Sequence, residues 1–254
     1  MNVRHYVLTR AVYPPTLWDR ASNERRLRLF EGVTAASLRA QTYRDWSWAV
    51  MIHPADPLRI ERARIVRSVA PRAILSFYDG PVTNRDDVAL RSYNGWRQTL
   101  NSAIGAVLTT RIDDDDGFAP DALQRIRSAS ERAQTRTALV IPNGFRVWNG
   151  RYTRVRHETN AWASILSPDQ DPFVIYDVRH REIRSAAPLQ FVDEQRGWLW
   201  VRHADTLSGE KAADRPLTDE LRAIFPVNWP LLERDTVEVA LTGTKPPRGA
   251  TLYR

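Results

Sequence analysis

The sequence predicts an α/β fold: a mixed, mainly parallel sheet covered by helices. Three observations carry that expectation. Strand-like and helix-like segments alternate over the first ~130 residues, the pattern of a parallel sheet with helices on its faces. After Leu139 the alternation gives way to a hairpin and further strands. The 254 residues are 43% hydrophobic and 26% charged, enough core for one large domain or two small ones.

The elements follow in order. His5–Thr9 reads as a first strand, and Ala11–Asn23, which holds Pro14 and Pro15, as a loop. From Glu24 to Gln41, Leu27, Phe30, Val33 and Leu38 recur near helical spacing. Trp46–Ile52 is aromatic and β-branched, a second strand that Pro54 and Pro57 end. Leu58–Val69 reads as an amphipathic helix and Ala73–Phe77 as a third strand. Tyr93, Trp96, Leu100 and Ile104 mark the buried stripe of another helix. Ala106–Thr110 is a fourth strand. Pro120 suits the first position of the helix that Leu123 and Ile126 continue. Phe145–Val155 forms a hairpin closing on Asn149-Gly150, a strong two-residue turn signal. Val174–Val178 and Trp198–Val201 add strands, and from about Thr242 the Gly-, Pro- and Thr-rich end reads as a loose tail.

Composition removes several chemistries. There is no Cys, which excludes disulfides, Cys-ligated zinc, iron–sulfur clusters and thiol nucleophiles. No apolar run has the length of a membrane span, and the first ten residues lack a signal-peptide core, so the expected location is the cytoplasm. The net charge of +7 invites a nucleic-acid reading. Against it, 35 of the 37 basic residues are Arg, scattered among 30 acids rather than gathered into a phosphate-tracking stripe.

The sharpest feature is Asp113-Asp114-Asp115-Asp116. Four adjacent carboxylates repel one another unless solvent or a cation relieves them. Open α/β sheets bind ligands just outside the carboxyl ends of their strands. Mg²⁺ or Mn²⁺ takes oxygen ligands there, and one or two carboxylates suffice when substrate phosphates supply the rest. The competing reading is a solvated acidic turn before a helix; the apolar strand directly ahead of the run favours the metal. An EF-hand frame fails, because with Gly117 at its sixth position Ile112 and Leu123 fall where carboxylates belong. The chain also lacks the phosphate-loop, dinucleotide, zinc-protease and serine-hydrolase motifs.

Further segments carry a resemblance. Leu8-Thr9-Arg10, Leu29-Phe30-Glu31 and Ser37-Leu38-Arg39-Ala40-Gln41-Thr42-Tyr43-Arg44-Asp45-Trp46 look like the opening of a GT-A-type glycosyltransferase. Leu108-Thr109-Thr110-Arg111-Ile112-Asp113-Asp114-Asp115-Asp116, followed by Ala119-Pro120-Asp121, resembles the "TTRLDxDD…APD" signature of the putative rhamnosyltransferase family. Gly197-Trp198-Leu199-Trp200-Val201-Arg202-His203 is similar to its later "WLxVxH" stretch. The resemblance covers roughly residues 5–215 and implies a GT-A-like nucleotide-diphospho-sugar transferase fold. It divides the chain into a single catalytic domain at 1–240 and a tail at 241–254. Within that domain, 1–138 would be the nucleotide-sugar half and 139–240 the acceptor side.

What the resemblance implies is a metal-dependent glycosyltransferase moving a sugar, with rhamnose suggested by the family name, from a nucleoside diphosphate to a hydroxyl acceptor. Asp113 and Asp115 match the two DXD positions, Asp115 as the direct ligand of Mn²⁺ or Mg²⁺ and Asp113 nearer the ribose or reaching the metal through water, and Asp116 matches the acid that commonly follows. Thr9 and Arg10 end the strand where such enzymes hold the nucleotide, and Arg111 suits phosphate as a bidentate fork. The nucleotide-binding Asp that closes the second strand in many relatives is missing, leaving Asp56 as its substitute. His203 follows an apolar strand and is a candidate third metal ligand. A general base is required for an inverting reaction, and Asp193, Glu194 and Glu158 are its candidates. Trp148, Trp162 or Trp198 would suit a sugar face. Two rival classes stay open at this level: a metal-dependent phosphohydrolase acting on nucleotide-sugars, and a basic nucleic-acid-binding protein.

Overall fold

The computed structural model describes residues 2–11, 20–77, 96, 100, 105–133, 136–148, 150–167, 173–203 and 215–233. Its centre is a seven-stranded sheet in which β1 (Val3–Ala11) lies between β2 (Ser47–Ile52) and β4 (Ala106–Arg111), parallel to both. β3 (Ile74–Phe77) extends it in parallel beyond β2. On the other side β9 (Ser164–Ser167) runs antiparallel to β4 and to β6 (Thr137–Val140), and β10 (Leu189–Phe191) pairs in parallel with β6. Chain from beyond residue 136 therefore returns to complete the sheet that the first 111 residues begin.

A second, five-stranded sheet has the order β12-β8-β7-β11-β5. Its strands are β5 (Gly117–Phe118), β7 (Asn143–Trp148), β8 (Arg151–Arg156), β11 (Arg196–Val201) and β12 (Arg215–Pro216). The hairpin expected at Asn149-Gly150 is present: Trp148 pairs with Arg151, and Gly150 takes a φ of 64°, which the tight turn demands. Asn149 itself lies outside the described residues.

Strand alternation divides the core. Along β1, Val3, Val7 and Ala11 face one apolar cluster, while Tyr6 and Leu8 face another on the opposite side. Such two-sided burial is what a mostly parallel central sheet requires. The first cluster is closed by the helix at 20–39 (α1), by α2 (Arg59–Val69) and by α3 (Ala122–Ser130), through Phe30, Leu38, Ile65, Val66, Leu123 and Ile126. Within α1 the segment Phe30–Ala35 is π-helical, flanked by α-helical Arg20–Leu29 and Ala36–Arg39. Leu29 and Val33 of α1 point into a third cluster with Phe145, Leu199, Phe225 and Trp229. One helix thus serves both sheets.

Several expectations need correction. Val174–Val178 is not a strand; Ile175–Asp177 is a 3₁₀ turn. Thr109 Oγ1 accepts the Ile175 N–H at 3.0 Å and Asp177 Oδ2 accepts that of Val174 at 2.9 Å, so side chains take amides a ladder would have used. Pro120 precedes its helix rather than opening it: Asp121 is the N-cap, and the Pro120 carbonyl accepts the Thr42 N–H. The expected Ala11–Asn23 loop is already helical at Arg20, and residues 12–19 lie outside the described part. Of the helix expected around Tyr93–Ile104, Trp96 and Leu100 are helical and buried; its other residues, like the tail from Thr242, are not described.

Candidate active site

The acidic run is the crossing between the two sheets. β4 ends at Arg111, the Ile112 N–H is held by the Leu8 carbonyl of β1, and β5 begins at Gly117. The turn is pinned from α1 by Thr34, fully buried in the π-helical segment. Its hydroxyl donates to the Asp116 carbonyl at 2.9 Å and reaches that of Asp113 at 3.4 Å.

Like charges this close cannot share one environment, and the four carboxylates diverge. Asp113 turns outward into a fork from Arg111, with Nη2 2.9 Å from Oδ1 and 3.1 Å from Oδ2, and Nε 3.0 Å from Oδ1. Asp114 turns inward, its oxygens 4.0 Å from Arg26 and from Arg62. Asp115 Oδ2 lies 2.8 Å from His203 Nε2. Asp116 Oδ1 accepts the Val201 N–H at 3.0 Å, tying the run to the end of β11.

Their acidities diverge too. Burial, reinforced by the Asp115 charge, raises Asp114 and Asp116 well above the carboxylate range. Burial pushes Asp115 the same way, but His203 and Arg26 together with a backbone hydrogen bond outweigh it, and the carboxyl ends below its ordinary value. Among the described residues, no three His, Asp or Glu side chains converge into a closed metal cage. Asp115 and His203 are instead a touching carboxylate and imidazole. That donor set fits a divalent cation whose remaining ligands come from substrate phosphates.

Two cations flank the run. Arg111 and Arg10 lie over the ring of Tyr176, at 4.7 and 5.6 Å from its centroid. Tyr176 is buried, and its hydroxyl is pushed up to about 12, chiefly by that burial. Behind the run is a buried charge relay. Asp56 Oδ2 accepts from Arg62 Nε at 2.8 Å, and Arg62 reaches Asp114 from a position with no solvent exposure.

Other residues singled out from sequence are placed differently. Asp56 is 1% exposed, and its second oxygen accepts the Leu58 N–H at 2.8 Å in the turn that leads into α2. Thr9 is buried and accepts from Trp48 Nε1. Trp162 and Trp198 are buried and stacked on each other at 4.1 Å, so they are core rather than sugar platforms. The three candidate bases gather elsewhere. Asp193 accepts from Arg125 at 2.8 Å, Glu194 pairs with Arg156 and Asn143, and Glu158 pairs with Arg184 and Arg156. They surround the amino ends of β11 and β7 and the end of β8 paired with them, whereas His203 follows the carboxyl end of β11. Five strand steps separate those ends, roughly 17 Å. The structure does not bring them to the acidic run.

Sequence reasoning missed Thr34, Tyr176, Arg26 and Arg62. Only Arg62 left a signal: it occupies the apolar phase of α2 shared by Ile65, Val66 and Val69, where a charge must be paired to be tolerated.

Comparison with known proteins agrees with this arrangement. No curated protein matches the chain. Among solved structures it is similar to TarS of S. aureus, at a TM-score of 0.51 and 11% identity, covering 80% of this chain and 37% of that one. It also aligns with a putative nucleotide-diphospho-sugar transferase from Desulfovibrio desulfuricans at a TM-score of 0.42 and 13% identity, covering 78% of this chain and 80% of that one. The fold is GT-A-like, as the motifs imply. The family described as "Putative rhamnosyl transferase" matches residues 11–215, from the end of β1 to β12. With the acidic run inside that span, the chain belongs to the putative rhamnosyl transferase family and is a glycosyltransferase.

Proposed function

We propose that this glycosyltransferase is metal-dependent and moves a sugar, rhamnose by the family's description, from a nucleoside diphosphate to a hydroxyl acceptor such as a glycan. One observation carries the reading: Asp115 of the turn after β4 and His203 after β11 meet at 2.8 Å beside the Arg111–Asp113 fork. Asp115 and His203 would hold Mn²⁺ or Mg²⁺, and Asp113, turned away into the Arg111 fork, would join them only on leaving it. Bound there, a divalent cation stabilises the charge that develops on a departing diphosphate.

The chain's own residues supply the rest. Arg10 and Arg111 present guanidinium groups for phosphate oxygens, and Tyr176 fixes both from beneath. Asp116 and Thr34 keep the turn in place, so Asp115 need not reorganise on binding. We do not assign the base to Asp193, Glu194 or Glu158, which lie at the end of β11 opposite Asp115 and His203.

Calorimetric titration of nucleoside diphosphates with and without Mn²⁺ tests the reading. Binding should require the cation in the wild type and be lost in Asp115→Asn. Equal, metal-independent binding in both proteins would reduce the acidic run to a structural turn.

A further inference from the structure

Both oxygens of Asp113 are engaged by one guanidinium, at 2.9–3.1 Å. Any cation that drew on Asp113 together with Asp115 would compete with Arg111 for those same oxygens. The competition is strong, because the Arg111 side chain is only 13% exposed and a partly buried bidentate pair is weakly screened.

Arg111 also has a second, independent hold. Its guanidinium lies over Tyr176, 4.7 Å from the ring centroid, and Arg10 lies over the same ring. A guanidinium stacks through its face and forks through its edge, so the fork can change partner while the ring contact persists. Phosphate suits that fork as well as carboxylate does. The sharing of Asp113 is thus a choice between two cations, and a diphosphate is the one substrate group that offers Arg111 an equivalent partner.

Resting on the donor site proposed above, we propose that Arg111 is an exchange cation. It holds Asp113 until a nucleoside diphosphate takes over its fork, so that the diphosphate and the divalent cation bind cooperatively. Such coupling is reciprocal: each ligand tightens the other by the same factor. Arg111 then serves twice, guarding Asp113 against adventitious cations and afterwards clamping the leaving group.

The test is calorimetric titration of Mn²⁺ alone, of the tightest-binding nucleoside diphosphate alone, and of each in the presence of the other. Wild type, Arg111→Gln and Arg111→Lys are compared, with thermal unfolding recorded for all three. In Arg111→Gln, Mn²⁺ alone should bind about tenfold tighter than to wild type, and the coupling factor should fall about tenfold, both within the usual span of such couplings. Arg111→Lys keeps the charge but not the fork and should fall between; it carries the test if Arg111→Gln does not fold. Wild type that binds diphosphate with Mn²⁺, while neither variant gains affinity for Mn²⁺ alone, overturns the exchange and leaves the donor site standing. Wild type that binds no diphosphate even with saturating Mn²⁺ overturns both.

Discussion

At the carboxyl end of β11, Asp115 meets His203 with side chains 17% and 2% exposed; at its amino end, Glu194 pairs with Arg156 with side chains 67% and 44% exposed. Each set pairs an acid with a basic side chain, and in sequence His203 and Glu194 are nine residues apart. Burial separates them. In the buried set each carboxylate needs its own partner, because low dielectric magnifies every unmatched charge. In the exposed set water and salt screen the same interactions, so the pairs carry little free energy. A site able to stabilise developing charge is therefore built at one end of the strand and not at the other. Substitutions on either side can break that contrast.

The largest effect is expected deep in the buried set. Arg62→Leu strands Asp56 and takes from Asp114 one of the cations near it. Removing one partner of a buried pair costs about 3–5 kcal/mol, which for a chain of this size lowers Tm by roughly 6–20 °C. A melting curve within 2 °C of wild type, at about 1 kcal/mol or less, would mean that the relay contributes nothing.

Next comes the site itself. Asp115→Asn keeps the shape of the turn; it relieves repulsion on Asp114 and Asp116 but gives up the charge that pairs with His203, so its Tm should move by less than that of Arg62→Leu. Its transfer rate should nevertheless fall by about 10²–10³, the usual cost of losing one preorganised electrostatic contact. His203→Ala should act in the same direction and more weakly. A steep loss of activity with only a small change in stability is the signature that separates a functional carboxylate from a structural one.

These residues were not equally legible. The acidic run and His203 stand out in sequence because charge or imidazole follows directly on apolar strand residues. β1, β2, β4 and the β7–β8 hairpin are legible as long runs or a turn with strict chemistry. β6 and β9 have four residues each, fully buried on both faces, and too short to show a period. The π-helical segment that carries Thr34 follows no standard period, so nothing in the sequence points that hydroxyl at the turn. Asp193 and Glu194 lie away from the acidic run for a geometric reason: an intervening strand carries residues close in sequence to opposite ends of a sheet.

A third test uses pH. His5 is buried in the main sheet, 2.7 Å from the Thr110 hydroxyl, and burial holds its imidazole down at about 3. In the unfolded chain it titrates near 6.5. Below that value the unfolded state takes up a proton that the native state refuses. His5 therefore contributes stability that is full above 6.5 and is lost as pH falls toward 3, by up to about 1.4 kcal/mol per pH unit. Asp114 and Asp116, raised in the fold, work in the opposite sense and stabilise it as they protonate. Comparing the pH dependence of Tm in wild type and His5→Gln isolates the histidine. Parallel curves between pH 4 and 6.5 would show that His5 protonates freely in the native state.

The smallest effects are expected at the exposed end, and there the contrast is easiest to break. Arg156 pairs with Glu194 and lies 3.8 Å from Glu158, and the Glu194 carboxyl sits below its usual range chiefly through the hydrogen bond from Arg156. Because these groups are open to solvent, that shift measures a local preference and not a store of stability. Glu194→Gln and Glu158→Gln should leave Tm unchanged and transfer rates within about twofold of wild type, since a typical exposed pair contributes little. A fall of a hundredfold in either variant, with the fold intact, would place a catalytic base at this end of β11. Because Glu194 and His203 flank opposite ends of β11, roughly 17 Å apart, such a result would divide the site between the two ends, and burial alone would no longer separate a functional carboxylate from a structural one.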